Sequence, residues 1–118
     1  MSRLVYPDRA PVKQIAPTFR CEALRRAVSK IPCVSCGVWG YTQAAHANLQ
    51  EYGKGRGLKA SDAAVMALCA TRPGELGCHA KLDQLIGMTA AEAEENTHRF
   101  IAATLIALIE AGSLKATK

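Results

Sequence analysis

The chain has 118 residues, 49% of them apolar but only six aromatic, and carries a formal charge of +5. That apolar fraction excludes wholesale disorder, and the length suits one domain whose modest core a structural metal would reinforce. The longest apolar run, Ile101–Ile109, is too short to cross a bilayer, and Met1–Tyr6 lacks the apolar centre of a secretion signal. The expectation is a cytoplasmic protein with no membrane partner.

Charge is placed unevenly. Residues 1–30 hold seven Lys/Arg against Asp8 and Glu22, so the whole net charge sits there and the remaining 88 residues are neutral. A basic end on a neutral body fits an acidic partner, above all nucleic acid; a solvated face is the alternative.

Residues 1–18 contain Pro7, Pro11 and Pro17 without sustained periodicity and read as an extended basic arm. The domain then runs over 19–118. Thr18 is placed to cap a helix over Phe19–Ser29, with Glu22 as its capping-box partner and Pro32 beyond its end. Cys33-Val34-Ser35-Cys36-Gly37 has the form of a tight knuckle. Short β segments are expected on either side of Gly40, the second ending near His46. Residues 47–64, with Gly53, Gly55 and Gly57 among Lys54, Arg56 and Lys59, form a long basic loop. Val65–Leu68 reads as a core strand ending at Cys69, Thr71–Gly77 as a turn-rich insertion, and Cys78–Ile86 as a short helix. Thr89 with Glu92 makes a capping box for a long final helix over 89–112, with Gly112 as its terminator. Ile101, Leu105 and Leu108 share one stripe of that helix, with Phe100 and Ile109 beside it. The stripe is expected to pack on the domain; a homodimer seam is its other possible use.

In a reducing compartment five cysteines are better metal ligands than disulfide partners. Cys33 and Cys36 are two residues apart, and Cys69 and Cys78 supply a second pair. The turn of a CxxC knuckle directs both thiolates at one ion, and a distant pair closes a tetrahedral zinc site that supports the fold without performing chemistry. A redox motif uses similar residues, but Gly37 directly after Cys36 fits a knuckle better; an iron–sulfur cluster, which takes the same ligands, is the open alternative to zinc. Cys21 is left over as a small core residue. His79 and Asp83, at i and i+4, project from one helix face as half of an open divalent-metal site. His46 lies between the halves of the cysteine cluster, whose closure draws it towards His79. His98, among Glu94, Glu95 and Arg99, reads as solvated.

Taken together, Cys33–Cys36, Gln43-Ala44-Ala45-His46, Gly57-Leu58-Lys59-Ala60-Ser61-Asp62, Leu68-Cys69 and Cys78-His79-xxx-Asp83 resemble the small phage- and prophage-type HNH endonucleases of the ββα-metal class. The resemblance covers about residues 30–86 and continues through the final helix. It implies an α+β fold: a ββα-metal finger stapled by a four-cysteine zinc site, flanked by an N-terminal and a long C-terminal helix. It implies His46 as general base, His79 and Asp83 as ligands of a catalytic Mg or Mn ion, and Asp62 as the residue orienting the base, with Asn48 as the alternative. Many relatives carry a metal ligand just before the base, where this chain has Ala45. The expected activity is hydrolysis of phosphodiester bonds in duplex, branched or single-stranded DNA. Lys54, Arg56, Lys59, Arg25 and Arg26 are the expected phosphate contacts. The alternative is a non-catalytic zinc module that binds nucleic acid or protein.

Overall fold

A computed structural model of the chain describes residues 19–52 and 60–114. The expected arm over 1–18 lies outside them. In chain order come α1 (Glu22–Val28), β1 (Thr42–His46), a 3-10 turn (Gln50–Tyr52), β2 (Val65–Cys69), α2 (Cys78–Asp83) and α3 (Ala90–Glu110). Among the described residues the result is a small mixed architecture of one two-stranded sheet and three α-helices. No helix among the described residues is long and apolar enough to cross a membrane.

α1 starts later than the sequence predicts. Its N-cap is Cys21, whose side chain makes no cap; the expected cap, Thr18, lies outside the described residues. The Cys21 amide instead donates to Asp62 Oδ2 at 2.6 Å, a carboxylate from 41 residues away. Tertiary pairing therefore takes the place of a local cap. Only one of the two β segments expected around Gly40 forms: residues before it turn back, with the Cys33 amide donating to Val38 O at 3.0 Å.

β1 and β2 pair antiparallel, with Thr42 opposite Cys69, Ala45 opposite Met66 and His46 opposite Val65. All five residues of β2 are buried. Met66 and Leu68 face Ala45, Leu82 and Ala93, while Val65 and Ala67 face Val28, Ile31 and Leu108. Burying a side chain such as Met66 or Leu68 stabilises the fold by about 1.5–3 kcal/mol. Beyond the sheet, the Ala67 amide donates to Thr104 Oγ1 (2.9 Å) and Ala67 O accepts from the Val34 amide (2.9 Å). Those bonds satisfy Ala67 on the strand edge away from β1, and the strand is covered on both faces. A continuous apolar run is what such a strand requires.

α3 begins with the predicted capping box: Glu92 N–H donates to Thr89 Oγ1 (3.1 Å) and Thr89 N–H to Glu92 Oε1 (2.8 Å). Its buried face matches the predicted stripe in part: Leu108 is buried, and Phe100 and Ile101 pack against the core. Ala93, Thr97, Thr104 and Leu108 point inward, whereas Leu105 and Ile109 are about half exposed, at 50% and 51%. The reason is closeness: Thr104 must touch the β2 backbone, so the seam selects small residues. α2 ends at Asp83, short of the expected Ile86, and leaves the helix through Leu85 in the left-handed region (φ 57°).

Candidate functional site

The first centre is the cysteine cluster. The Sγ atoms of Cys33, Cys36, Cys69 and Cys78 all lie within 4.8 Å of one another, and Cys36 Sγ is 3.8 Å from Cys69 Sγ. An ion about 2.3 Å from each of four tetrahedral sulfurs sets them about 3.8 Å apart, so the cluster has the size of a zinc site. Backbone amides support it. Ser35 and Cys36 amides point at Cys33 Sγ (3.4 and 3.5 Å), and the Cys78 amide points at Cys69 Sγ (3.3 Å). Gly77 delivers Cys78 to the cluster by lying against the backbone of Cys69 and Ala70; a Cβ there would be 2.4 Å from Ala70 C and Cys69 O. Burial raises the Cys69 thiol, but the Cys78 amide, Arg72 and the neighbouring thiols outweigh it and bring it down to about 7. Burial and the adjacent thiols push Cys78 up to about 12. Four sulfurs this close cannot all ionise without a cation to balance them. Cys21, expected as a core residue, is half-buried at the start of α1 instead.

The second centre surrounds Asp62, which is fully buried. Its Oδ1 is 2.6 Å from His46 Nε2. Its Oδ2 accepts from the Cys21 amide and from Arg25 Nη1, and Arg20 Nη1 stands 3.5 Å from Oδ1. Burial raises the Asp62 carboxyl, but the Cys21 amide, His46 and Arg25 together hold it below the usual carboxylate value. Of the two candidates for orienting His46, Asp62 is the one in contact. Asn48 turns the other way and donates to Asp83 Oδ1 at 3.2 Å.

The third centre is the His79–Asp83 pair on α2. His79 Nδ1 is 2.9 Å from Gln43 Oε1, and His79 Nε2 is 3.5 Å from Asp83 Oδ2. An amide oxygen only accepts, so Nδ1 carries a proton and Nε2 is the nitrogen turned to the carboxylate. A cation between them, proton or metal, bridges the two. An imidazole and a carboxylate at this spacing fit adjacent positions around a divalent ion. Ala45, the residue before His46, is buried at 1% exposure and packs in the core rather than facing His79 and Asp83 as a further ligand.

The second and third centres line two cavities. One of about 350 Å³ is lined by His46, Asn48, Asp83, Glu94 and Thr97 over a floor of Met66 and Leu82. The other, about 390 Å³, is lined by His79, Gln43 and Asp83. His46 and His79 thus lie in adjacent cavities, and Asp83 belongs to both.

Lys54, Arg56 and Lys59 fall outside the described residues. Arg26 is exposed, 3.9 Å from Glu22 one turn back. Arg25, expected at a phosphate, is bound to Asp62 instead. Sequence reasoning missed Gln43 as a partner of His79; an isolated glutamine in a strand carries no signal. It also missed the surroundings of His98, whose Nδ1 is 2.6 Å from Tyr52 Oη, with Glu51 and Glu94 close by. Compared with known proteins, the chain matches no family model, no curated protein and no solved structure.

Proposed function

We propose that the protein is a metal-dependent endonuclease that hydrolyses phosphodiester bonds of DNA, with His46 as its general base. The observation that carries this reading is the His46–Asp62 pair, a buried carboxylate gripping a half-buried histidine at the wall of a cavity that Asp83 also lines. An ionised carboxylate only accepts, so Nε2 carries the proton and Nδ1 remains to take one. As the oxygen of a water bonds to phosphorus, its proton passes to Nδ1 and the bond from phosphorus to the 3′ oxygen breaks. The leaving oxygen takes a proton from solvent, and the products are a 3′ hydroxyl and a 5′ phosphate.

His79 and Asp83 are the residues that would hold Mg²⁺ or Mn²⁺, which when bound supplies positive charge opposite the scissile phosphate. Gln43 and Asn48 brace this pair from β1 and the segment after it. The chain order also supports the ββα-metal reading: His46 ends β1, β2 follows, and Cys78-His79 opens α2. In this reading the four cysteines hold a structural zinc, and Lys54, Arg56 and Lys59 hold phosphates.

The test is incubation of the zinc-loaded protein with duplex, branched and single-stranded DNA in Mg²⁺ or Mn²⁺. Cleavage is expected, with a loss of about 10²–10⁴-fold in His46→Ala while binding of the second ion persists. His79→Ala is expected to lose that ion, and Asp83→Asn to fall between the two. A wild-type protein that holds zinc and binds DNA but cuts none of these substrates would overturn the reading and leave a non-catalytic zinc module.

A further inference from the structure

Arg25 was a candidate phosphate contact, yet its guanidinium ends on a carboxylate with no exposed surface. We infer that Arg25 is a positioning residue for the His46–Asp62 pair, making α1 part of the site rather than a basic handle for nucleic acid. The inference rests on the proposed function for its meaning, but its geometry stands independently. Asp62 presents two oxygens to opposite sides: Oδ1 to His46 Nε2 at 2.6 Å, and Oδ2 to Arg25 Nη1 and to the Cys21 amide at 2.6 Å. Arg25 and Cys21 lie on one turn of α1, also tied by the Arg25 amide donating to Cys21 O at 3.1 Å. The two grips therefore move as one body. An acid side chain at zero exposure keeps its charge only when paired, and Arg25 is the cation bonded to it most directly.

Two consequences distinguish a positioning role from a phosphate contact. A guanidinium already committed to an internal carboxylate has little to offer a phosphate, so its loss leaves ground-state binding intact. It does let the carboxylate shift or take up a proton, and His46 then loses the acceptor that fixes its tautomer. Interactions that matter only at the transition state lower kcat without changing KM. Groups that orient a reacting imidazole through a second residue typically cost roughly 10–100-fold when removed.

The experiment compares wild type with Arg25→Met, Arg25→Gln and Arg25→Lys, all zinc-loaded and checked for fold by thermal unfolding. The expected result for Arg25→Met and Arg25→Gln is a kcat lowered about 10–100-fold, with unchanged KM and an unchanged salt slope of DNA binding; Arg25→Lys restores part of the rate. A second arm needs no catalysis. The ring N–H signals of His46, read by ¹⁵N-edited NMR, are expected to show a solvent-protected Nε2 proton in wild type and Arg25→Lys, and its loss in Arg25→Met. A raised KM with a salt slope flatter by about one unit at unchanged kcat would identify a phosphate contact and overturn the inference. So would a His46 Nε2 proton equally protected in Arg25→Met. If wild type proves inactive, the NMR arm alone decides the role of Arg25, separately from the nuclease reading.

Discussion

Gly77 has an ordinary backbone angle, φ −72°, so its requirement for glycine is spatial rather than conformational. A methyl group there would stand 2.4 Å from the Ala70 carbonyl carbon and the Cys69 oxygen, both main-chain atoms that cannot swing aside. Relief comes only by moving the Cys78 turn away from Cys69, which opens the sulfur cluster. Gly77→Ala is accordingly expected to cost about 1–3 kcal/mol from overpacking and to weaken zinc retention together with stability. Competition with a chromogenic zinc chelator measures the second effect; zinc held as tightly as in wild type would show that the turn can move independently of the cluster. At the same scale Asp62 separates the legible from the hidden. The cysteine spacing announced its cluster because thiolates need few other uses for such a pattern. Asp62 was expected beside His46, but its ion pair with Arg25 joins residues 37 apart, and nothing in the sequence links the two.

Between elements, the decisive contact is a threonine placed where a core would ordinarily show leucine. Thr104 Oγ1 accepts from the Ala67 amide and donates to Phe100 O (2.7 Å), so one hydroxyl satisfies both the strand edge and its own helix. Thr104→Val keeps the shape and removes the acceptor, leaving a buried amide unpaired. The expected loss is about 1–3 kcal/mol in denaturant unfolding at unchanged m-value, against less than about 0.5 kcal/mol for an exposed change such as Ala102→Ser. The same contact explains why the inner face of α3 was only partly legible in the sequence. Its start was visible in Thr89 and Glu92 and part of its packing face in Leu108, whereas Ala93, Thr97 and Thr104, the rest of its buried residues, weigh little in any apolar pattern. β2 was visible for the opposite reason: covered on both faces, it must be apolar throughout. α1 was displaced because its true cap arrives from Asp62, far along the chain.

At the scale of the molecule, pH is the variable that reads the buried acid. The Asp62 carboxyl is held below its ordinary value in the folded state, so the stability it contributes is present above the unfolded carboxylate value of about 3.9. That contribution is lost as pH falls through the lower folded value. Wild type should therefore exceed Asp62→Asn in stability by a roughly constant margin from about pH 5 upward, with the margin shrinking below about pH 4. Urea unfolding of the two proteins across pH 3–7, with bound zinc measured at each pH and the margin compared at equal zinc content, provides the test, and a margin that widens on acidification would contradict the ion-pair account. A tie between α1 and the turn at residue 62 also means that the N-terminal helix cannot detach without disturbing the cavity wall at His46.

The enclosure of β2 carries a kinetic consequence. Its middle residue, Ala67, is bonded through its amide to α3 and through its carbonyl to Val34, which sits inside the CxxC knuckle. Two residues further along, the strand ends in Cys69, itself one of the clustered sulfurs. Strand, knuckle and final helix are thus bonded together at Ala67. The Ala67 amide is therefore expected to exchange with deuterium through an opening that also loosens the sulfur cage. The slowest-exchanging amides and the release of zinc should share one clock, set by global unfolding rather than by local breathing.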